Sequence, residues 1–244
     1  MTTTRVGQRR LAKGLLLCFA SALLNCTRER PTPDVLILNY HGIGADGEQY
    51  TVDEAQFAEQ LNLLRGMGFV TTSFADYFKG QVERPAVILT FDDGRKDAIT
   101  HALPALSQRR MRGTFFIITG SVGKTGFLTW SDIGSLRAAG MEIGSHSITH
   151  RHGSELSDDD LLHEFIQSRV DIETHLKEPI RVLAYPYNSF RRRMAQLAEK
   201  AGYDAAVVGP AHGTGDRFRL LRHGVYRDST LGQFRQTLEG YVRR

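Results

Sequence analysis

The chain has 244 residues, 41% of them hydrophobic and 24% charged, a formal charge of +4 and two cysteines. That length carries a full core in one domain plus a leader, and two cysteines exclude a small scaffold stapled by disulfides. Residues 1–25 hold Arg5, Arg9, Arg10 and Lys13 and no acid; without these four, 27 basic residues face 27 acidic ones, which argues against a nucleic-acid partner or an anionic membrane patch.

The basic start runs into an apolar stretch over residues 14–24, too short for a typical transmembrane helix and suited to a secretory signal. Leu23-Leu24-Asn25-Cys26 resembles a bacterial lipoprotein signal, whose cysteine is acylated after cleavage. Ordinary signal-peptidase cleavage or an uncleaved anchor are the alternatives. Residues 1–26 are therefore read as a signal peptide or lipoprotein leader, 27–34 as a charged, proline-bearing tether, and 35–244 as the catalytic domain. The expectation is an exported bacterial protein, periplasmic, membrane-anchored or extracellular. It would be a monomer that meets a membrane only through its leader.

Residues 35–38 form an apolar run that reads as a buried strand ending at Asn39-Tyr40-His41-Gly42. A glycine-rich loop follows to Gly47. From Val52, the spacing of Phe57, Leu61 and Leu64 predicts a helix closed by Gly66 and Gly68. Residues 69–72 predict a strand and Phe74–Phe78 a short helix. Residues 86–90 are the predicted central strand, 98–110 a helix containing Pro104, and 114–118 a strongly apolar strand. A loop spans 120–126. A helix over 131–139 has Trp130 at its start as a core residue, and 141–144 is a short strand. Ser157 and Asp160 have the spacing of a capping box and open a long helix to about Lys177. Residues 181–185 predict a strand, 194–201 a helix, 204–208 a strand, 219–225 a last strand and Leu231–Val242 a last helix. Strand and helix alternate throughout, which argues for a parallel sheet wrapped by helices, as a barrel or an open sheet. Such folds build their sites at the C-terminal ends of strands. His41, Asp92, Asp93, His146 and Tyr187 each fall at or just after such an end.

The run Val87-Ile88-Leu89-Thr90-Phe91 stops at Asp92-Asp93-Gly94. Two adjacent aspartates on a turn point in different directions, so one could bind a metal while the other holds a proton. About fifty residues later, Gly144-Ser145-His146-Ser147-Ile148-Thr149-His150 offers two imidazoles four positions apart. A carboxylate with two imidazoles is a common ligand set for Zn or a similar divalent ion. The spare carboxylate would then act as base toward a water activated by the ion. The bland readings are an Asp-Gly turn and incidental surface histidines. His152 is close enough to compete as a ligand.

Thr90-Phe91-Asp92-Asp93-Gly94 and His146-Ser147-Ile148-Thr149-His150 resemble the first two motifs of the polysaccharide deacetylase family, the NodB-like carbohydrate esterases. Arg112-Gly113-Thr114-Phe115-Phe116 and the stretch from Ala139 to His146 match its wording. Asn39-Tyr40-His41-Gly42 is similar to the branch that de-N-acetylates poly-N-acetylglucosamine. The resemblance implies an α/β fold, a distorted (β/α) barrel with a mainly parallel sheet. It implies one divalent metal ion, Zn in the first place with Co, Mn or Ni as alternatives, and removal of acetyl groups from an acetylated polysaccharide. Asp93, His146 and His150 become the metal ligands and Asp92 the general base. Tyr187, after Tyr185-Pro186, supplies the backbone N–H for the oxyanion. His223, after Leu220-Leu221-Arg222, matches the family's general acid, with His212 as second choice and His41 as a substrate contact. Arg191-Arg192-Arg193 reads as solvated surface. Two features depart from the family pattern. Ala184 stands where an arginine often orients the base, and the motif pairing an aspartate with a tryptophan has no match. The expected function is metal-dependent deacetylation, most naturally of N-acetyl groups, on a cell-envelope or extracellular glycan. A non-catalytic glycan-binding lipoprotein that keeps the metal site, or a metal amidohydrolase acting on a small amide, are the alternatives.

Overall fold

Apolar strands and amphipathic helices alternate along residues 35–243. The computed structural model describes these residues and residues 1–2, so the leader and tether expectations for 3–34, with Cys18 and Cys26, lie outside the described residues. The strands are β1 (Leu36–Tyr40), β2 (Gly42–Ile43), β3 (Thr51–Val52), β4 (Val70–Thr71), β5 (Ala86–Phe91), β6 (Thr114–Ile117), β7 (Glu142–Ser145), β8 (Val182–Ala184), β9 (Ala205–Val208), β10 (Leu220–Leu221) and β11 (His223–Gly224). The α-helices are α1 (Glu54–Gly66), α2 (Phe74–Phe78), α3 (Leu103–Gln108), α4 (Trp130–Ala138), α5 (Asp158–Leu176), α6 (Arg192–Lys200) and α7 (Leu231–Val242). None of the described helices is long and apolar enough to cross a membrane.

The main sheet runs β10-β9-β8-β7-β6-β5-β1-β11, with β4 added at the start of β5, and its pairings are parallel. β10 and β11 are two halves of one extended segment interrupted at Arg222. The first half pairs with β9 and the second with β1. That segment joins the two ends of the sheet and makes a nearly closed barrel, as the family resemblance implies. The predicted strand over 219–225 is present, and it breaks because it must leave one neighbour and take up another.

Alternation along the strands sorts the core into two regions. Ile37, Ile88, Phe116, Val182, Val207 and Leu220 fill the barrel interior, closed at its N-terminal end by Phe74 and Tyr77 of α2. Leu38, Leu89, Phe91 and Phe115 face outward onto the helices. There Tyr40, Phe57, Phe91 and Phe115 pack with ring centroids 4.7–5.9 Å apart. Each such buried side chain contributes roughly 1.5–3 kcal/mol. At the C-terminal mouth, Asn39, Thr90, Asp92 and Arg222 continue the inward set. Leu221 and His223 fall on the outward one.

Some local details differ from the sequence expectation. Residues 98–102 form a π-helical turn that passes into α3, and Pro104 sits in the first turn of α3, where its missing N–H costs nothing. Ser157 caps α5 through the Asp160 N–H, but the Asp160 carboxylate bonds the Ser157 hydroxyl instead of completing the box. Trp130 begins α4 half-buried, stacked on His175 at 3.8 Å, rather than sitting in the core. The β2–β3 ladder was not predicted, because two residues are too few to show a period.

Gly144 sits on β7 between β6 and β8. A Cβ there would lie 2.5 Å from the Phe116 ring and 3.0 Å from the Val182 carbonyl oxygen. Gly144→Ala is expected to cost about 1–3 kcal/mol, the usual range for overpacking, measured as a lower urea midpoint. An unchanged midpoint would show slack in the barrel interior.

Candidate active site

Two short loops bring the predicted ligands together. Asp92 and Asp93 follow β5, and His146 follows β7. Asp93 Oδ1 lies 3.6 Å from His146 Nε2 and 3.6 Å from His150 Nε2, and one donor atom from each residue falls within 4.8 Å of the others. Ligands 2.0–2.1 Å from a tetrahedral Zn stand about 3.3–3.4 Å apart, so the two Asp93–histidine distances match such a site within a few tenths of an ångström. His146 Nδ1 is 2.8 Å from the Ala184 carbonyl oxygen. A carbonyl can only accept, so Nδ1 carries the proton and Nε2 presents its lone pair to the cluster. Burial pushes the His146 pKa down to about 3, and burial lowers that of His150 as well, so both rings are neutral and able to ligate. Burial and then the charge of Asp92 raise the Asp93 pKa. A cation between the ligands would relieve that repulsion.

The loop after β7 is held from two sides. On one side, Glu164 of α5 accepts the N–H groups of Ile148 and Thr149, each at 2.9 Å, and the Thr149 hydroxyl at 2.6 Å. On the other, the N–H groups of Thr119 and Gly120 donate to the carbonyls of Ser147 and Ile148. A Cβ on Gly120 would come within 2.6 Å of the Ile148 oxygen, so only glycine permits this approach. Arg193 adds an anchor further along through the Gly153 and Leu156 carbonyls and Asp158, so this member of the arginine run is structural. Asp93, Ser147, His150, Tyr187 and Asn188 all have φ between +50° and +73°. Left-handed backbone costs a non-glycine residue about 1 kcal/mol or more, and its clustering marks functional sites.

Asp92 is 3% exposed and does not share the Asp93 position. Its two oxygens receive a bidentate pair from Arg222, at 2.6 and 2.9 Å. Arg222 also bonds Asn39 Oδ1 and Asn188 Oδ1, each at 3.0 Å, and lies over the Phe116 ring. Burial alone would raise the Asp92 pKa. The Arg222 guanidinium, joined by His146 and His41, outweighs burial and holds the carboxyl well below the usual carboxylate range. The orienting arginine absent at Ala184 is therefore supplied by the closing segment, beyond β9 and two strands along the sheet from β8, which corrects the sequence reading. One signal was available: a charged residue interrupting an apolar strand at an inward position.

The cleft holds about 350 Å³ and is lined by His41, Glu48, Tyr50, Asp92, Asp93, Arg95, His146, His150, Tyr187, Asn188 and Tyr226. His41 Nε2 lies 3.9 Å from Asp92 Oδ2. Tyr187 lies in the turn after β8, with its ring stacked on His152 at 3.8 Å. His152 is outside the ligand cluster. His223 does not join the site either. Register places it beside Leu38 on the outward face, where it lines a separate pocket with Gln233 and Phe234 of α7. The same two-residue period that aims Arg222 inward aims His223 outward. His212 is exposed, and its carbonyl receives Arg219. Sequence reasoning also missed Glu164, Glu48, Tyr50 and Tyr226. Glu164 had a signal, as a carboxylate within the buried stripe Leu161, Phe165, Ser168 and Ile172 of α5.

Arg222→Met leaves a buried, unpaired carboxylate, and its expected cost is roughly 3–5 kcal/mol. The wild-type pair stabilises fully above the unfolded carboxylate pKa of about 3.9 and loses this contribution as pH falls below it. In the variant, burial raises the Asp92 pKa, so protonation restores stability. The defect should narrow toward acid pH and shrink when Asp92→Asn is added. Urea melts of the single and double variants across pH measure this, and a pH-independent defect would contradict it.

A family model for polysaccharide deacetylase matches residues 79–206. The chain is 28% identical over 177 residues to a Bacillus subtilis (strain 168) protein named "Putative polysaccharide deacetylase YxkH", covering 70% of this chain and 63% of that one. It is 24% identical over 173 residues to the poly-beta-1,6-N-acetyl-D-glucosamine N-deacetylase of Staphylococcus aureus (strain MRSA252), covering 64% and 60%. The chain thus spans less than two thirds of the length of these curated relatives. Its fold matches that of the Streptococcus pyogenes deacetylase PplD in complex with acetate, with a TM-score of 0.77 at 22% identity over 83% of this chain and 97% of that one. With its family match running through both the aspartate pair and the histidine pair, the chain belongs to the polysaccharide deacetylase family.

Proposed function

We propose that the protein is a metal-dependent hydrolase that removes N-acetyl groups from an amino-sugar polysaccharide of the cell envelope or extracellular space. The observation that carries this reading is the convergence of Asp93, His146 and His150 beside an ionised, arginine-held Asp92 at the mouth of the barrel. The named activities of the relatives support the substrate class. Such a substrate requires export, which residues 1–26 would direct, with Cys26 as the lipidation candidate.

A divalent ion held by Asp93, His146 and His150 would polarise the acetyl carbonyl and bring the pKa of water toward about 7. Asp92 accepts the proton from the attacking water as its oxygen bonds the carbonyl carbon. Arg222 keeps both Asp92 oxygens oriented, and Asp92 Oδ2 is 3.8 Å from His146 Nε2, beside the ligand cluster. The backbone N–H of Tyr187 is the proposed donor to the developing oxyanion. The C–N bond then breaks, and the leaving amine takes a proton. His41 is the proposed acid in place of His223, since its ring lines the cleft beside Asp92. The products are acetate and a free sugar amine. A missing orienting arginine and an uncertain general acid would favour a binding-only protein, and Arg222 answers the first of these.

The ion is proposed to be Zn. Chelation should abolish acetate release from an N-acetylglucosamine oligomer, and Zn should restore it. Asp92→Asn should retain the metal and lower kcat about 10²–10⁴-fold. Wild-type acetate release by Asp92→Asn would refute the base assignment.

His41→Ala should slow kcat by about 10²-fold or more, whereas His223→Ala should change it less than about twofold. The reverse order in the same acetate assay would return the acid role to His223.

A further inference from the structure

The loop between β2 and β3 forms one wall of the cleft and is firmly built. The Asp46 carboxylate pairs with Arg95 and accepts the Thr51 hydroxyl at 3.0 Å. Arg227 bonds the Gly47 carbonyl, and its N–H donates to the Gln49 carbonyl at 3.1 Å. Tyr50 lies 5.0 Å from the His41 ring and meets Tyr226 edge-on at 5.8 Å. Glu48 stands on the same wall, exposed, with its carboxylate paired to no side chain among the described residues. The nearby cations are already engaged: Arg95 by Asp46 and Asp97, Arg227 by Gly47, and Arg222 by Asp92. A fixed loop therefore presents an uncompensated carboxylate beside two tyrosine rings at the edge of the cleft.

We infer that Glu48, with Tyr50 and Tyr226, forms a subsite for a sugar residue bearing a free, protonated amine next to the acetylated residue in the cleft. The inference rests on the N-deacetylase reading and names its substrate class: a partly de-N-acetylated amino-sugar chain. The tyrosines offer an apolar face to the sugar ring, and Glu48 offers the counter-charge to the ammonium. Each turnover converts a neutral acetamido group into the amine that this subsite accepts, so the enzyme's own product becomes its preferred neighbour.

The probes are two pentamers of N-acetylglucosamine, one fully acetylated and one carrying a single glucosamine. Calorimetry measures binding and an acetate assay measures kcat/KM. An exposed ion pair supports a preference of about three- to fivefold for the glucosamine-bearing pentamer at low salt. High salt should weaken the preference. Glu48→Gln should bring the ratio to about one, and Glu48→Lys should invert it. The proposal is overturned by a wild-type ratio of one, by a preference that survives Glu48→Gln, by equal weakening of both pentamers, or by binding of neither. Binding preference without acetate release would sink the catalytic reading and leave the subsite standing. Acetate release without preference would do the opposite.

Discussion

The buried Arg222–Asp92 pair is the constraint on which the rest depends. Each charge taken from water costs several kcal/mol, and attraction offsets this only when geometry is good and the remaining donors and acceptors find partners. Here the contact is bidentate, and Asn39 and Asn188 take the other terminal guanidinium N–H groups, so that Nε alone has no hydrogen-bond partner among the described residues. Arg222 is also the residue at which the closing strand passes from β9 to β1. Closing the barrel and orienting the carboxylate are therefore one structural event. A barrel that failed to close would lose the partner of its buried acid.

Around that pair, the histidine and aspartate loops are tightly confined. Left-handed backbone at five non-glycine positions is unfavourable locally and persists because neighbours over-determine it. Glu164, Gly120 and the carbonyl of Ala184 provide that constraint without facing substrate. They fix the ring of His146 and the path to His150 before any ligand arrives.

Electrostatics connects this frame to chemistry. Arg222 holds Asp92 ionised, while burial and then the Asp92 charge leave Asp93 as the acid whose ionisation the site resists. Two neutral imidazoles beside that acid form a pocket suited to a cation, with the ionised Asp92 close by. One aspartate thus answers to a guanidinium and its neighbour to the ligand cluster, although they are adjacent in the chain and of the same chemical type.

Much of this was legible in the residues. The alternation of apolar runs and helical spacing specified a parallel sheet wrapped by helices, because burial on both faces of a strand and on one face of a helix leaves different periods; the choice of barrel over open sheet came from the family resemblance. Asp92-Asp93 and His146/His150 stood out because they follow buried strands, where side chains converge on one rim. The boundaries Phe74–Phe78 and Leu231–Val242 came out as read. Long-range pairing was not legible. Arg222 and Asp92 lie 130 positions apart, and only closure of the sheet brings them together. Motif order favoured His223, but strand parity decided which of two neighbouring residues enters the barrel. Glu48, Tyr50 and Tyr226 carry no local pattern at all, since the cleft wall they share exists only once separate loops have packed. The sequence by itself determined which elements form and which residues end them; the tertiary structure decided which ends face one another, because that depends on sheet order, register and closure rather than on any local period.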